Sequence, residues 1–244
     1  MSEGPWYREW FGEEYLELYP HRDEEEGEAA VALLLARVPE LVGRSVLDLA
    51  CGAGRHLLPL QAGGTTPVGL DLSLPLLVRA RRHGGAVPLV RGDMRRLPFR
   101  DECFFAVTSF FTSFGYFADP ADDGRVLAEV RRVLRDEGHL LLDFLNADRV
   151  RNTLSPRDEE EIDGRTVIQE RRLIEDDSVV EKRIQIRKAG VSRVFRERVR
   201  LYVPDELEAL VERAGLSVLE RFGDYSGGLL VPDSPRVILL ARAR

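Results

Sequence analysis

Apolar runs and amphipathic stretches alternate along roughly the first 145 residues. Val46 to Ala50, interrupted only by Asp48, reads as a buried strand, as do Thr66 to Leu72, Ala86 to Arg91 and Glu102 to Ser109. His139 to Leu145, apolar except for Asp143, adds a fifth. Between them the period changes to that of a helix. Val31, Leu34, Leu35 and Val38 fall at i, i+3, i+4 and i+7 within Glu24 to Val38, and Pro39 ends that helix. A helix opening at Arg55 runs to about Gln61, bent or shortened by Pro59, and Gly63 and Gly64 close the unit. Another begins near Ser73. A fourth starts at Asp119 or Asp122, buries Val126, Leu127, Val130, Val133 and Leu134, and stops at Gly138.

From residue 157 to residue 203 the chain becomes charged and alternates with a period of two. Val167, Gln169, Arg171 and Leu173 share one parity, and Ile184, Ile186, Val199, Leu201 and Val203 continue the pattern. Asp163-Gly164, Asp176-Asp177-Ser178 and Lys188-Ala189-Gly190 punctuate it as hairpin turns. This predicts an antiparallel insertion that serves as a lid, a dimer surface or an edge extension of the sheet. Pro204 opens a helix that Gly215 ends, and Leu216 to Phe222 and Val237 to Ala241 are the last strands, joined antiparallel on the strength of a short connection. The expected fold is α/β: a Rossmann-like, doubly wound sheet of seven strands with the last strand antiparallel, plus the β insertion. Residues 1–22 form a cap helix rich in aromatics (Trp6, Trp10, Phe11, Tyr15, Leu18, Tyr19), and residues 23–244 form the main domain.

Length and composition narrow the function. A chain of 244 residues, 44% hydrophobic, builds one large domain with an insertion. Its net charge of −7 argues against a general nucleic-acid surface, leaving at most a local arginine patch. Two cysteines, Cys51 and Cys103, make no disulfide framework and point to a reducing cytoplasm. No run of about 18 apolar residues and no signal-type N-terminus occurs, so no membrane association is expected. The scattered His21, His56, His83 and His139 suggest no metal.

The candidate chemistry lies where the first strand ends. Gly52 and Gly54 permit a sharp turn with close ligand approach, and Arg55 opens a helix whose free N–H groups face the turn. The dinucleotide fingerprint would require a third glycine where Leu57 stands, which disfavours a nicotinamide oxidoreductase. Asp48 supplies an anion that suits a cationic ligand group. Asp71 follows Gly52 by about 20 residues, the spacing at which a βαβ unit presents a carboxylate to a ribose diol, although it or Ser73 would equally cap the next helix. Arg91-Gly92-Asp93 also spells a cell-adhesion tripeptide, which a chain without secretion features would not use.

VLDLACGAGRH (46–56), VGLDLS (68–73) and GDMRRLPF (92–99) resemble, in order, the first three motifs of the class I S-adenosylmethionine-dependent methyltransferases. The resemblance extends over nearly the whole chain. It implies S-adenosylmethionine as cofactor, with Asp48, Ala50, Gly52 and Gly54 holding its amino-acid end and Asp71 and Leu72 its ribose. Asp93 would accept from the adenine amino group, Met94 would pack near the ring, and Phe110 would border the cofactor. In related small-molecule enzymes N-terminal tyrosines reach the cofactor, which nominates Tyr19. SFFTSFGYF (109–117) resembles small-molecule N-methyltransferases, including those acting on amino sugars, and places Tyr116 against the acceptor as the candidate catalytic residue. Those enzymes often carry His there, and tyrosine, titrating near 10, is a poor general base. Tyr225, Ser226 and Arg236 are further acceptor candidates. Without a Pro-Cys dipeptide or an Asn/Asp-Pro-Pro-aromatic motif, DNA-methylating types are excluded. The expected activity is methyl transfer to a small-molecule N or O nucleophile by a monomer or homodimer. The alternative is a non-catalytic cofactor-binding or scaffold subunit.

Overall fold

In the computed structural model, which describes residues 5–19, 24–83 and 85–244, the chain begins with helices α1 (Trp6–Trp10), α2 (Glu13–Leu18) and α3 (Glu24–Arg37). The aromatic N-terminus thus forms two short helices, because Gly12 adopts an extended conformation between them. His21 lies outside the described residues. Strands and helices then alternate as the apolar pattern requires: β1 (Ser45–Leu49), α4 (Leu57–Ala62), β2 (Thr66–Asp71), α5 (Leu74–His83), β3 (Leu89–Arg91), β4 (Phe104–Ser109), α6 (Pro120–Val133) and β5 (Leu134–Leu145). Helix α4 starts two residues later than expected, and β3 keeps only the half of its apolar run that follows Pro88, which cannot donate to a ladder. Asp119 is the cap of α6, its side chain accepting from the Ala121 amide at 2.9 Å. Strand β5 begins before His139, pairing Leu134 with Phe104. A bulge through Glu137, at φ 62°, then resumes the ladder at His139.

Helix α7 (Ala147–Thr153), capped by Asn146, has no apolar stripe to announce it. Four long strands follow, β6 (Arg157–Ile162), β7 (Arg165–Ile174), β8 (Val179–Lys188) and β9 (Val191–Arg200), and they form their own antiparallel sheet, which is not an edge extension of the first. Asp163-Gly164 and Ala189-Gly190 turn two of its hairpins with both residues at positive φ, as two-residue loops need. Helix α8 (Pro204–Arg213), β10 (Leu216–Phe222) and β11 (Arg236–Ala243) complete the chain. The large sheet has the order β10-β11-β5-β4-β1-β2-β3, with β11 antiparallel to both neighbours and the strands from β5 to β3 parallel. The segment from residue 223 to residue 235 is longer than a hairpin turn. Asp224, accepting from the amides of Ser226 and Gly228, folds its first part.

Alternate residues of the central strands serve two cores. Leu47, Val107, Leu140, Leu142 and Leu239 face α6 and α8 through Val126, Val130, Val133, Leu207 and Val211. Val46, Ala106, Leu141 and Leu240 face α3 through Ala30, Leu33 and Leu34. A third cluster joins Trp10 and Leu18 to Val167, Ile184 and Ile186, so the N-terminal helices pack on the small sheet.

Buried polar groups interrupt the large core, Asp123 and Asp48 among them. Asp123 of α6 is fully buried and accepts from the Tyr202 hydroxyl at 2.7 Å. Asp48 of β1 is buried and accepts from Thr108 Oγ1 of β4 at 3.2 Å. Burial raises both carboxyls, Asp123 to about 6 and Asp48 to about 7, against the hydrogen bonds, which lower them. The unfolded chain therefore releases these protons near pH 4, before the folded chain does. The stability they contribute is present below about pH 4 and is lost as the pH rises through about 6 and 7. Urea unfolding at several pH values should show Asp48→Asn losing less stability than the wild type across that window. Tyr202→Phe strands a buried carboxylate oxygen and should cost about 1–3 kcal/mol at pH 7 in the same assay.

Candidate active site

The carboxyl ends of β1, β2, β3 and β4 open into one cavity of about 810 Å3. Its floor begins just past β1. Ala50, Gly52 and Gly54 take φ values of 58°, 55° and 83°, so three of five successive residues adopt the left-handed conformation that glycine best tolerates. A Cβ on Gly54 would come within 3.0 Å of the Ala80 Cβ and 3.2 Å of Leu57, hence glycine also lets α4 and α5 approach there. The Gly52 amide donates to Asp71 Oδ2 at 2.8 Å and the Ser73 amide to Oδ1 at 2.7 Å, which ties the turn to the tip of β2. Each Asp71 oxygen retains a second acceptor position, the capacity a vicinal diol needs. Burial raises this carboxyl, while the amides that hold it act in the opposite direction. Both readings of Asp71, cap and ligand acceptor, are compatible with this geometry.

Asp48 is not among the residues lining the cavity. His56 is, and its Nδ1 lies 3.8 Å from Asp48 Oδ2, an oxygen without a hydrogen-bond partner. The His56 ring stacks on Phe110 at 4.2 Å, and burial, with Arg55 adding to it, pushes its pKa well below the usual range, so the imidazole is neutral. The spacing of the four histidines does not single out His56. Its place directly after the glycine turn was the available signal.

Asp93 and Met94 also line the cavity. Asp93 is bound by the adjacent Arg95 through Nε at 3.0 Å and a terminal nitrogen at 2.7 Å, which hold the carboxylate below its ordinary pKa. Arg95 also bonds Asp122 at 2.7 Å and covers the Phe117 ring at 4.6 Å. Ala50, Leu72 and Phe110 line the cavity. Tyr116 stands in an aromatic box, 4.9 Å from Trp6 and 5.8 Å from a stacked Phe11.

The roof comes from the small sheet. Lys182 pairs with Glu197 at 3.0 Å, and the Trp10 indole donates to the same carboxylate. Arg171 projects from β7 and pairs with Asp158. Tyr19 reaches the cavity here and accepts from Lys182 at 3.2 Å, on the side of the small sheet. The Ser73 hydroxyl donates to the Phe11 carbonyl at 2.5 Å, joining the N-terminal segment to the rim beside Asp71. Strand alternation places Arg171 on a face without identifying which face meets the crevice, and it does not single out Lys182.

Three acceptor candidates fall elsewhere. Tyr225 and Arg236 are turned onto Asp143, at 2.5 and 2.7 Å, and Ser226 bonds Asp224. None of them lines the cavity, because Arg236 begins β11 opposite Leu145 and its side chain is directed along the sheet interior toward Asp143. Among the described residues no group of three or more His, Cys, Asp or Glu side chains is placed to share a metal ion, and no helix is long and apolar enough to cross a membrane.

An unpartnered buried carboxylate oxygen on Asp48, a left-handed turn and the Asp71 carboxylate suit a nucleoside that carries a cationic amino-acid end. Known proteins point the same way. Residues 46–138 match the family described as a methyltransferase domain. The chain is 42% identical over 98 residues to a demethylmenaquinone methyltransferase of Corynebacterium kroppenstedtii, a match that spans 40% of each protein. It is 29% identical over 216 residues to the dTDP-3-amino-3,4,6-trideoxy-alpha-D-glucopyranose N,N-dimethyltransferase of Streptomyces venezuelae, covering 82% of this chain and 86% of that one. Among solved structures, a methyltransferase from Streptomyces caelestis superposes with a TM-score of 0.80 at 21% identity, over 96% of this chain and 97% of that one. A sugar N-methyltransferase from Streptoalloteichus superposes with a TM-score of 0.72 at 27% identity, over 96% and 94%. The domain match runs from β1 to the bulge of β5, and the chain spans less than half the length of the demethylmenaquinone methyltransferase it matches, while its fold is shared with solved methyltransferases over almost its full length.

Proposed function

We propose that the protein transfers a methyl group from S-adenosylmethionine to a nitrogen or oxygen nucleophile of a small molecule. The observation that carries this reading is that one cavity is lined by Gly52, Asp71, Asp93 and Phe110 together with Trp6, Phe11 and Tyr116, under a polar roof. At about 810 Å3 it lies in the upper part of the roughly 300–1,000 Å3 range of small-molecule sites, room for two ligands to meet. The printed names of the Streptomyces venezuelae and Streptoalloteichus proteins favour nitrogen.

When bound, the cofactor supplies an activated methyl group on a sulfonium, open to in-line displacement. The chain's part is to bind, align and exclude water. The amides and φ angles of residues 50–54 shape the amino-acid pocket, with Asp48 as its buried anion behind His56. Asp71 accepts from the ribose, and Asp93 with Met94 bounds the base. Phe110 presents an aromatic face suited to a cationic sulfur. Tyr116, held between Trp6 and Phe11, orients the acceptor with its ring and hydroxyl. Alignment of this kind can be worth about 7–11 kcal/mol, so a dedicated base is optional. Lys182, Glu197 and Tyr19 give the roof both donors and acceptors for a polar acceptor molecule.

The acidic composition and two free cysteines support a cytoplasmic protein that acts without nucleic acid, as a monomer or homodimer. Separate titrations with S-adenosylmethionine and NADH, followed by labelled methyl transfer into a cell extract, test the reading. Binding of the first ligand and label incorporation are expected. Binding without incorporation would favour a non-catalytic subunit, and binding of NADH alone an oxidoreductase. Tyr116→Ala should raise acceptor KM about tenfold while leaving the cofactor Kd within about threefold. Asp71→Ala should show the reverse pattern, weakening cofactor binding by about ten- to a hundredfold. Equal losses in both parameters for Tyr116→Ala would contradict its assignment.

A further inference from the structure

The structure assigns a positioning role to Asp143 and Arg236: together they hold the left-handed turn at Phe111–Thr112 and so set the wall that faces the acceptor. This deepens the methyl-transfer reading of the cavity and rests on it. Phe111 and Thr112 have φ values of 56° and 60°, a conformation that aromatic and β-branched residues rarely adopt. Something must over-determine it. The Phe111 amide donates to Asp143 Oδ2 at 2.6 Å, and the Thr112 amide to the Asp143 carbonyl at 3.1 Å. Arg236 donates to Asp143 Oδ1 at 2.7 Å and to Thr112 Oγ1 at 2.9 Å, closing a ring of bonds around the turn. The Phe111 side chain lies between two guanidinium groups, 4.4 Å from that of Arg55 and 5.2 Å from that of Arg236.

Asp143 is completely buried, and neither it nor Arg236 lines the cavity. Phe110, Phe111, Thr112, Ser113, Tyr116 and Phe117 all do. The pair therefore acts through the loop. Two successive left-handed residues divert the chain at the end of β4 across the crevice, leaving Phe110 on His56 and carrying Tyr116 to Trp6 and Phe11. Buried charge alone explains less, since an ion pair of this kind adds little net stability to a core. The bonds to the turn give it a purpose.

Asp143→Asn tests this, because the amide keeps the size of the side chain but offers one acceptor oxygen where the carboxylate offers two. The protein has two tryptophans, so in a Trp10→Phe background the fluorescence reports Trp6 alone, whose ring lies against Tyr116. Asp143→Asn should shift that emission to the red and raise acrylamide quenching at least twofold. Its affinity for S-adenosylhomocysteine should stay within threefold of wild type, and kcat should fall tenfold or more at a temperature where circular dichroism shows a folded protein. Tyr225→Phe, which removes a hydroxyl and leaves the ring of bonds intact, should remain within threefold of wild type on every readout. A variant that melts earlier yet keeps wild-type Trp6 quenching and kcat would overturn the proposal and leave the pair a stability feature of the sheet. If Asp143→Asn does not fold, Arg236→Lys takes its place, because one ammonium cannot span both Asp143 and Thr112, and wild-type values there would overturn it equally. Should the wild type bind S-adenosylhomocysteine and methylate nothing, the methyl-transfer reading fails, while the Trp6 measurement still decides whether Asp143 sets the loop.

Discussion

A carboxylate removed from water has to be met by hydrogen bonds or opposite charge, and this chain buries three of them at the carboxyl ends of β1, β2 and β5. Each is compensated differently. Asp143 receives a guanidinium, a phenol and a backbone amide. Asp71 receives two backbone amides from the turns around it. Asp48 receives only the Thr108 hydroxyl, with a neutral imidazole too distant for a bond. The compensation decreases from the saturated Asp143 through the half-filled Asp71 to the under-served Asp48. That order matches the roles proposed for them: a brace for the polypeptide, an acceptor for a neutral diol, and a counter-charge that a cationic ligand completes.

The large sheet supplies these groups because helices cover both of its faces, which leaves the strand ends as the one place where backbone and polar side chains meet open space. The small sheet adds what strand ends lack. It covers the crevice with Lys182, Glu197 and Arg171, and it carries the N-terminal helices on its inner face through Trp10, Ile184 and Ile186.

Local signals in the sequence reach as far as local forces do. The buried strands, the helix stripes and the hairpin turns each follow from residues within a few positions of one another, and each forms where its pattern lies. The glycine turn and the spacing to Asp71 were legible for the same reason. Features set by partners distant in the chain were not. Asp143 and Arg236 are 93 positions apart, and Arg236 looked like a residue at the mouth until its partner claimed it. Period-two alternation in residues 157–203 serves an edge extension and an independent sheet equally well, and only the absence of pairing with the large sheet separates them. Arg95, two residues on, bonds both oxygens of Asp93, a pairing that the motif around Asp93 does not announce. Gly12, by breaking one helix into two, depends on a single φ,ψ choice that composition does not encode.

The N-terminal segment is anchored at two points with different owners. Trp10 belongs to the small sheet, through Phe195 at 5.0 Å and the carboxylate of Glu197, whereas Phe11 is fastened by its carbonyl to Ser73 on the rim of the large one. Residues 6–19 are consequently a strap across both halves. Anyone grafting a relative's residues 157–200 onto this scaffold would sever one buckle, and the transplant has to bring its own N-terminus along.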